Sequence, residues 1–326
     1  MKALTYTNTI TTIPNWDDVH VKQPRGYAYE TATHFIHIYG AGDQLWTISN
    51  GLTVSERKAG SLTEWAQSKF GAIDVQETKL DVGSTVSGVW RPGLYYDSDV
   101  LQGLDQTNAD LRWAEQSLLL LVQRIDEILL FVEPTPQSLS SYGHKLRELL
   151  ILSCTEVEAH WRYHLKRSEV PIGANGYTTK DYVKLLEPLR LSEYEIQLPR
   201  YAGIPAIRPF KAWNNTAPTQ SLPWYAAYNA AKHDAKENFS AATLLACIEA
   251  IAANIALFSV RFGPFRLYHG GGMLSAVFNP NFTVNLQNSD PTTFYVPRVN
   301  LAGRGDGLTW GTAEIAPRAS SPFKIA

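Results

Sequence analysis

The chain has 326 residues, 44% hydrophobic and 18% charged, enough apolar side chains for one large core or two ordinary ones, which excludes a globally disordered chain. A formal net charge of −2 excludes a protein that coats nucleic acid by bulk electrostatics, although a local basic groove is compatible with it. Only two cysteines occur, Cys154 and Cys247, both in apolar helical contexts, which argues against a disulfide framework or a cysteine zinc site and fits a reducing cytoplasm.

Met1 to Asn8 contains no continuous apolar run, so no secretory signal is expected. Residues 1–104 read as β-rich: alternating stretches such as His34 to Tyr39 and Ala72 to Val75 are broken by Gly40, Gly42, Gly51, Gly83 and Gly88. From Asp105 the period becomes helical. Leu111, Leu118, Val122, Ile125, Leu129 and Val132 recur at three-, four- and seven-residue steps, with start signals at Asp105, Thr107 and Asn108 and stops at Pro134 and Pro136. A second long helix is expected from Ser138 or Ser141 towards Arg167, and a shorter one capped by Thr178 or Thr179. Pro199, Pro205, Pro209, Pro218 and Pro223 predict an extended connection over 190–222.

Two further helices are expected at 223–236 and 240–262. The second is long enough to span a bilayer, but it carries Glu249 and Asn254 and owes much of its apolarity to alanine. A buried core helix is the expectation, with no membrane as partner. After Gly263-Pro264, Met273 to Phe278 and Phe282 to Leu286 flank Asn279-Pro280-Asn281 as a hairpin would. The expected fold class is therefore α+β: a central antiparallel helical bundle over 105–262, flanked by β-rich segments over 1–104 and 263–326 that pair with each other.

The densest functional signal is the run from Trp224 to Asp234. On a helix it sets Tyr225, Asn229 and His233 in one row and Trp224, Tyr228 and Lys232 in the next. Imidazole suits proton transfer near neutral pH, Lys232 neutralises a phosphate oxygen in such a role, and Asn229 holds a tautomer or a ligand. The competing reading is structural: Asn229 and His233 bond across to the preceding helix while the aromatic residues pack under the long connection.

With its long helix pair, short asparagine–histidine helix and apolar closing helix, the stretch 105–262 resembles the HEPN superfamily of small helical domains. Ser153 to His160, including Glu156, resembles the polar-patterned helix that faces the motif helix in that superfamily. The resemblance implies a metal-independent ribonuclease or an RNA-binding module of bacterial toxin–antitoxin or antiviral systems, often dimeric so that two motifs meet. Asn229 and His233 match the last two elements of the family motif, whereas Tyr228 stands where the family has arginine, and no arginine has a histidine five to seven positions downstream. The resemblance thus assigns His233 and Asn229 the catalytic roles if there is catalysis, with Lys232, Arg162 or Arg167 as substitutes for the missing cation.

Other motifs are set aside. His160 and His164 have zinc-pair spacing, but Trp161 stands where a metalloprotease has its glutamate, so no metal is expected. His269-Gly270-Gly271-Gly272 lacks a nucleophile elbow to serve, and Arg304-Gly305-Asp306 is turn chemistry. No phosphate-cradling loop or dinucleotide fingerprint occurs, and no cofactor is expected. Two functions follow as expectations: a noncatalytic module binding RNA, a nucleotide or a protein partner, through Trp224, Tyr228, Lys232, Glu156 and Arg162; or a ribonuclease using His233 as acid or base.

Overall fold

The computed structural model describes residues 1–10, 24–41, 45, 52–94, 97–174, 176–233, 236–269, 271–301, 306–310 and 318–325. Asp234, Gly270 and Arg304-Gly305 lie outside the described residues. The protein is α+β, with both helix and strand in quantity. It divides into two compact units, Met1–Asp105 with Asn288–Ser321, and Gln106–Gln287 with Pro322–Ala326. Residues 263–326, expected as one β-rich or irregular region, are thus shared between the two.

Along the chain run β1 (Lys2–Thr7), β2 (Arg25–Glu30), β3 (His34–Gly40), β4 (Leu52–Arg57), α1 (Leu62–Phe70), β5 (Ile73–Asp81), β6 (Ser84–Val86) and α2 (Asp97–Gly103). The long helices α3 (Asn108–Leu129) and α4 (His144–Arg167) follow, then α5 (Thr179–Tyr182), β7 (Tyr194–Gln197), α6 (Pro223–His233) and α7 (Leu244–Phe262). The chain closes with α8 (Phe265–Tyr268), α9 (Met273–Asn281), β8 (Thr283–Leu286), β9 (Gly307–Trp310) and β10 (Ala319–Ser321).

In the first unit an antiparallel sheet has the order β5-β1-β2-β3-β4-β9, so the C-terminal β9 joins the N-terminal strands at one edge. Both faces are buried, which the pleat explains. On β3, Phe35 and Tyr39 pack with α1 through Trp65, Ala66 and Phe70. Ile36 and Ile38 point the other way, onto Phe294, Val296 and Val299. His37 falls on the α1 face, where its ring stacks on Phe70 at 3.7 Å and its Nδ1 meets the Tyr6 hydroxyl at 2.6 Å. Gly26 lies against Tyr6, where an added Cβ meets the ring at 2.3 Å and the Asn8 Oδ1 at 2.6 Å. Gly26→Ala is therefore expected to cost about 1–3 kcal/mol by overpacking, read from the urea midpoint. An unchanged midpoint would show that the ring of Tyr6 yields freely.

The helix α1 lies inside the region expected to be β-rich. Its signal was present: Ser61 and Glu64 form a capping box, with the Ser61 side chain taking the Glu64 N–H and Glu64 taking the Ser61 N–H at 3.1 Å. Gly71 ends the helix in the left-handed region at φ 60°.

In the second unit α7 is the centre. It is the one described helix long and apolar enough to cross a membrane, and 83% of its apolar window is buried within the protein. Helices α3, α4 and α6 pack on it. Their directions follow from named contacts. Lys145 at the start of α4 pairs with Glu127 at the end of α3 at 2.8 Å, so the chain reverses there. On α4 and α7, Leu146 O accepts from Cys247 Sγ at 3.1 Å, and Ser153 O accepts from Asn254 Nδ2 at 2.9 Å. Start meets start and middle meets middle, so these two helices run parallel. Arg147 reaches Ala231 O at 3.1 Å and Glu158 reaches Tyr225 at 2.8 Å, which makes α6 antiparallel to α4.

The hairpin expected over Met273–Leu286 is not formed. Met273–Asn281 is helical, and β8 pairs instead with the distant β7 in antiparallel register, Tyr194 opposite Leu286. Leu274 and Phe278, four residues apart, give α9 one buried stripe. Pro280 sits in its last turn, where the Asn281 side chain still bonds back to Val277 O at 3.0 Å. The Asn-Pro-Asn run signals the end of a helix here, not a two-strand turn.

Candidate functional site

Pro223 opens α6, where its fixed φ suits a first helical residue and its missing N–H costs nothing. Arg147 of α4 finishes the helix by donating to the Ala231 carbonyl, a cation at the negative end of the helix dipole. Between these ends α6 presents one buried face, formed by Trp224, Tyr225, Tyr228 and Ala231. Asn229 is half-buried, and Lys232 and His233 are exposed.

Trp224 belongs to an aromatic core. Its indole donates to Pro209 O at 3.1 Å, under the proline-rich connection. Trp161 of α4 is the hub, with ring centres of Tyr182, Trp213 and Tyr225 at 4.9, 5.0 and 5.3 Å and those of Phe210 and Trp224 at 6.3 Å. These rings are scattered in sequence, and only the folding of the 190–222 segment over α4 and α6 assembles them.

Beside that core lies a chain of polar contacts. Tyr225 donates to Glu158 Oε1 at 2.8 Å, and Arg162 stands one turn on from Glu158 with its guanidinium 3.7 Å from the carboxylate. Tyr228 accepts a hydrogen bond from Lys232 at 2.9 Å, with the ammonium also 5.1 Å above the phenol ring. Burial first, and then the Glu158 carboxylate, push the Tyr225 hydroxyl far above the usual phenol range. The same two causes bring Tyr182 to about 12. The bond to Tyr228 is the leading cause that holds Lys232 above its ordinary value, so it stays charged. The arrangement is an internal hydrogen-bond network between α4 and α6 with two cations at its rim.

The structure therefore brings Tyr228, Lys232 and Arg162 to one face, with Trp224 in the adjoining core. It places His233 and Glu156 elsewhere. His233 makes no hydrogen bond or ion pair among the described residues. Glu156 lies about 200° around α4 from Glu158, on the side that meets α3 and α7. The carboxylate that serves α6 is Glu158, which sequence reading missed. Its four-residue spacing to Arg162 was the available signal.

Glu156 lines a second feature, an open cleft of about 350 Å³ formed by Asp110, Trp113, Ala114, Ser117, Glu156, Ala159, His160 and Arg261. Arg261 is held at its base, bonded to Gln106 at 3.1 Å and Asp110 at 3.2 Å, with its guanidinium 3.5 Å over the Tyr163 ring. His160 has a solvent-sealed Nδ1 with no partner among the described residues. Burial, with Arg261 and His164 adding to it, depresses its pKa to about 3, so the imidazole is neutral. Trp113 is 66% exposed at the mouth. Among the described residues no three histidine, cysteine, aspartate or glutamate side chains converge as a metal-ligand group.

Comparison of the chain with protein-family models, with curated proteins and with solved structures finds no match.

Proposed function

We propose that α3, α4, α6 and α7 form a central antiparallel bundle of the HEPN-like kind, and that it is a noncatalytic module that binds a partner and does not cleave RNA. The alternation of helix direction from α3 through α4 and α6 to α7, and the apolar closing helix, support the bundle reading. One observation carries the noncatalytic part: the residue in the place of the family's arginine, Tyr228, is 1% exposed, and its hydroxyl is taken up by Lys232. Arg162 is likewise committed to Glu158. Among the described residues no cation bonds Asn229 or His233, so the charge that builds on a phosphate in a transition state finds no preorganised partner among them.

The exposure of His233 keeps the ribonuclease reading testable, because a second copy of the chain is able to bring a cation to it. The experiment is cleavage of labelled single-stranded RNA by purified full-length protein across a concentration series, with His233→Ala alongside. Turnover indistinguishable between the two proteins is the expected result. A His233-dependent cleavage that rises with protein concentration would overturn the noncatalytic reading.

A further inference from the structure

We infer that the cleft between α3, α4 and α7 is a binding site for a guanidinium cation, offered by an arginine side chain. Of the charged groups lining the cleft, Arg261 and Asp110 neutralise one another at 3.2 Å, with Arg261 held further by Gln106 and Tyr163. His160 carries no charge, because its imidazole is half-buried beside Arg261 with one nitrogen sealed. What remains is Glu156, a half-buried carboxylate with no hydrogen-bond or ion-pair partner among the described residues. The local excess is one negative charge in a recess, a place where a desolvated cation gains most.

The cleft also offers an aromatic face. Trp113 sits one turn along α3 from Ser117, and its indole is left 66% exposed at the mouth of the same cleft. An exposed indole face attracts a cation through the ring quadrupole, and arginine does so more often than lysine because its planar group also stacks. A guanidinium lying on Trp113 turns its two-nitrogen edge towards Glu156, where paired N–H donors match a carboxylate. The sealed His160 edge and the neutral Arg261–Asp110 pair supply polar walls that do not repel the ligand. A nucleotide fits less well: its phosphates meet Glu156 and find no unpaired cation among the described residues that line the recess. At about 350 Å³ the cleft is at the small end for ligand sites, which suits one side chain and not a polymer groove.

This inference uses no residue of α6 and stands or falls independently of the noncatalytic reading: the cleavage assay above does not touch the cleft, and the titration below does not touch His233. The test is titration of the full-length protein with a capped Gly-Arg-Gly peptide, its citrulline counterpart, free arginine, and guanosine monophosphate. The readout is the Trp113 indole N–H resonance, assigned with Trp113→Phe. Both arginine ligands are expected to move that resonance, tighter peptide binding indicating a protein partner and tighter binding of free arginine a small-molecule ligand. Citrulline is expected to bind at least tenfold more weakly. Glu156→Gln, followed by the same resonance, and Trp113→Ala, followed by isothermal titration calorimetry beside the parent protein, are each expected to lose tenfold or more of the arginine affinity. Trp113 is exposed and Glu156 half-buried, and an unchanged circular dichroism spectrum checks that the fold is kept. Equal binding of citrulline, or a Trp113 shift caused by guanosine monophosphate but not by arginine, would overturn the proposal.

Discussion

Replacing Trp161 by alanine is expected to lower the stability of the helical unit by about 3–5 kcal/mol, the largest single-residue effect in the chain. The side chain is fully buried and touches five other rings, drawn from α5, the proline-rich connection and α6. Its removal leaves a cavity whose walls are rigid aromatic residues, and such walls relax little into the space. Trp161→Phe is expected to cost much less. It keeps most of the ring volume, and it deletes an indole N–H that is buried without a partner among the described residues. Urea denaturation followed by near-ultraviolet circular dichroism reads both variants. A loss below about 1 kcal/mol for the alanine variant would mean that the six rings do not act as one packed set.

The second large effect depends on pH. Glu249 lies in the first half of α7 with no hydrogen-bond or ion-pair partner among the described residues, and burial raises its pKa from 4.5 to about 7. The fold therefore prefers the protonated form. Below pH 4.5 the group is protonated in both folded and unfolded chains and carries no penalty. As pH rises from 4.5 through about 7 the unfolded chain releases its proton first, and stability falls by about 3 kcal/mol, then levels off. Glu249→Gln removes that titration. The variant is expected to exceed the parent by about 2–3 kcal/mol at pH 8 and to match it at pH 4.5, in urea melts at the two pH values. An advantage of equal size at both would show that the gain comes from packing and not from the buried charge.

Much of the helical unit was legible because helix signals are local. The apolar steps from Leu111 to Leu129, the Thr107 cap that takes the Asp110 N–H, and the Thr178–Asp181 capping box are read from residues within one or two turns of each other. The same logic expected α7 to be a core helix despite its bilayer length, and its polar residue Asn254 does find a partner, in the Ser153 carbonyl. Reading failed where a short window supported two periods. Met273 to Phe278 fits a strand run by composition, yet Leu274 and Phe278 share a helix face, and β8 finds β7 nearly ninety residues earlier. Alternation likewise expected the strand at His34 to Tyr39, but nothing local says that both of its faces are covered.

The candidate site divides along the same line. That Trp224, Tyr225 and Tyr228 share one face of α6 with Asn229 and Lys232 alongside follows from helical spacing, and so does the offset of Glu156 from Glu158 on α4. Which carboxylate meets α6 does not follow from spacing. It depends on how α4 is rotated about its own axis, and that rotation is set by Trp161 fitting among rings contributed by the 190–222 connection. Rotated so, α4 turns Glu158 to Tyr225 and sends Glu156 and His160 to the opposite side, where Trp113 and Arg261 arrive from α3 and α7. Local periodicity determined each helix and its faces. Packing between elements far apart in the chain decided which faces meet, because side-chain volume and loop path act only once the helices are side by side.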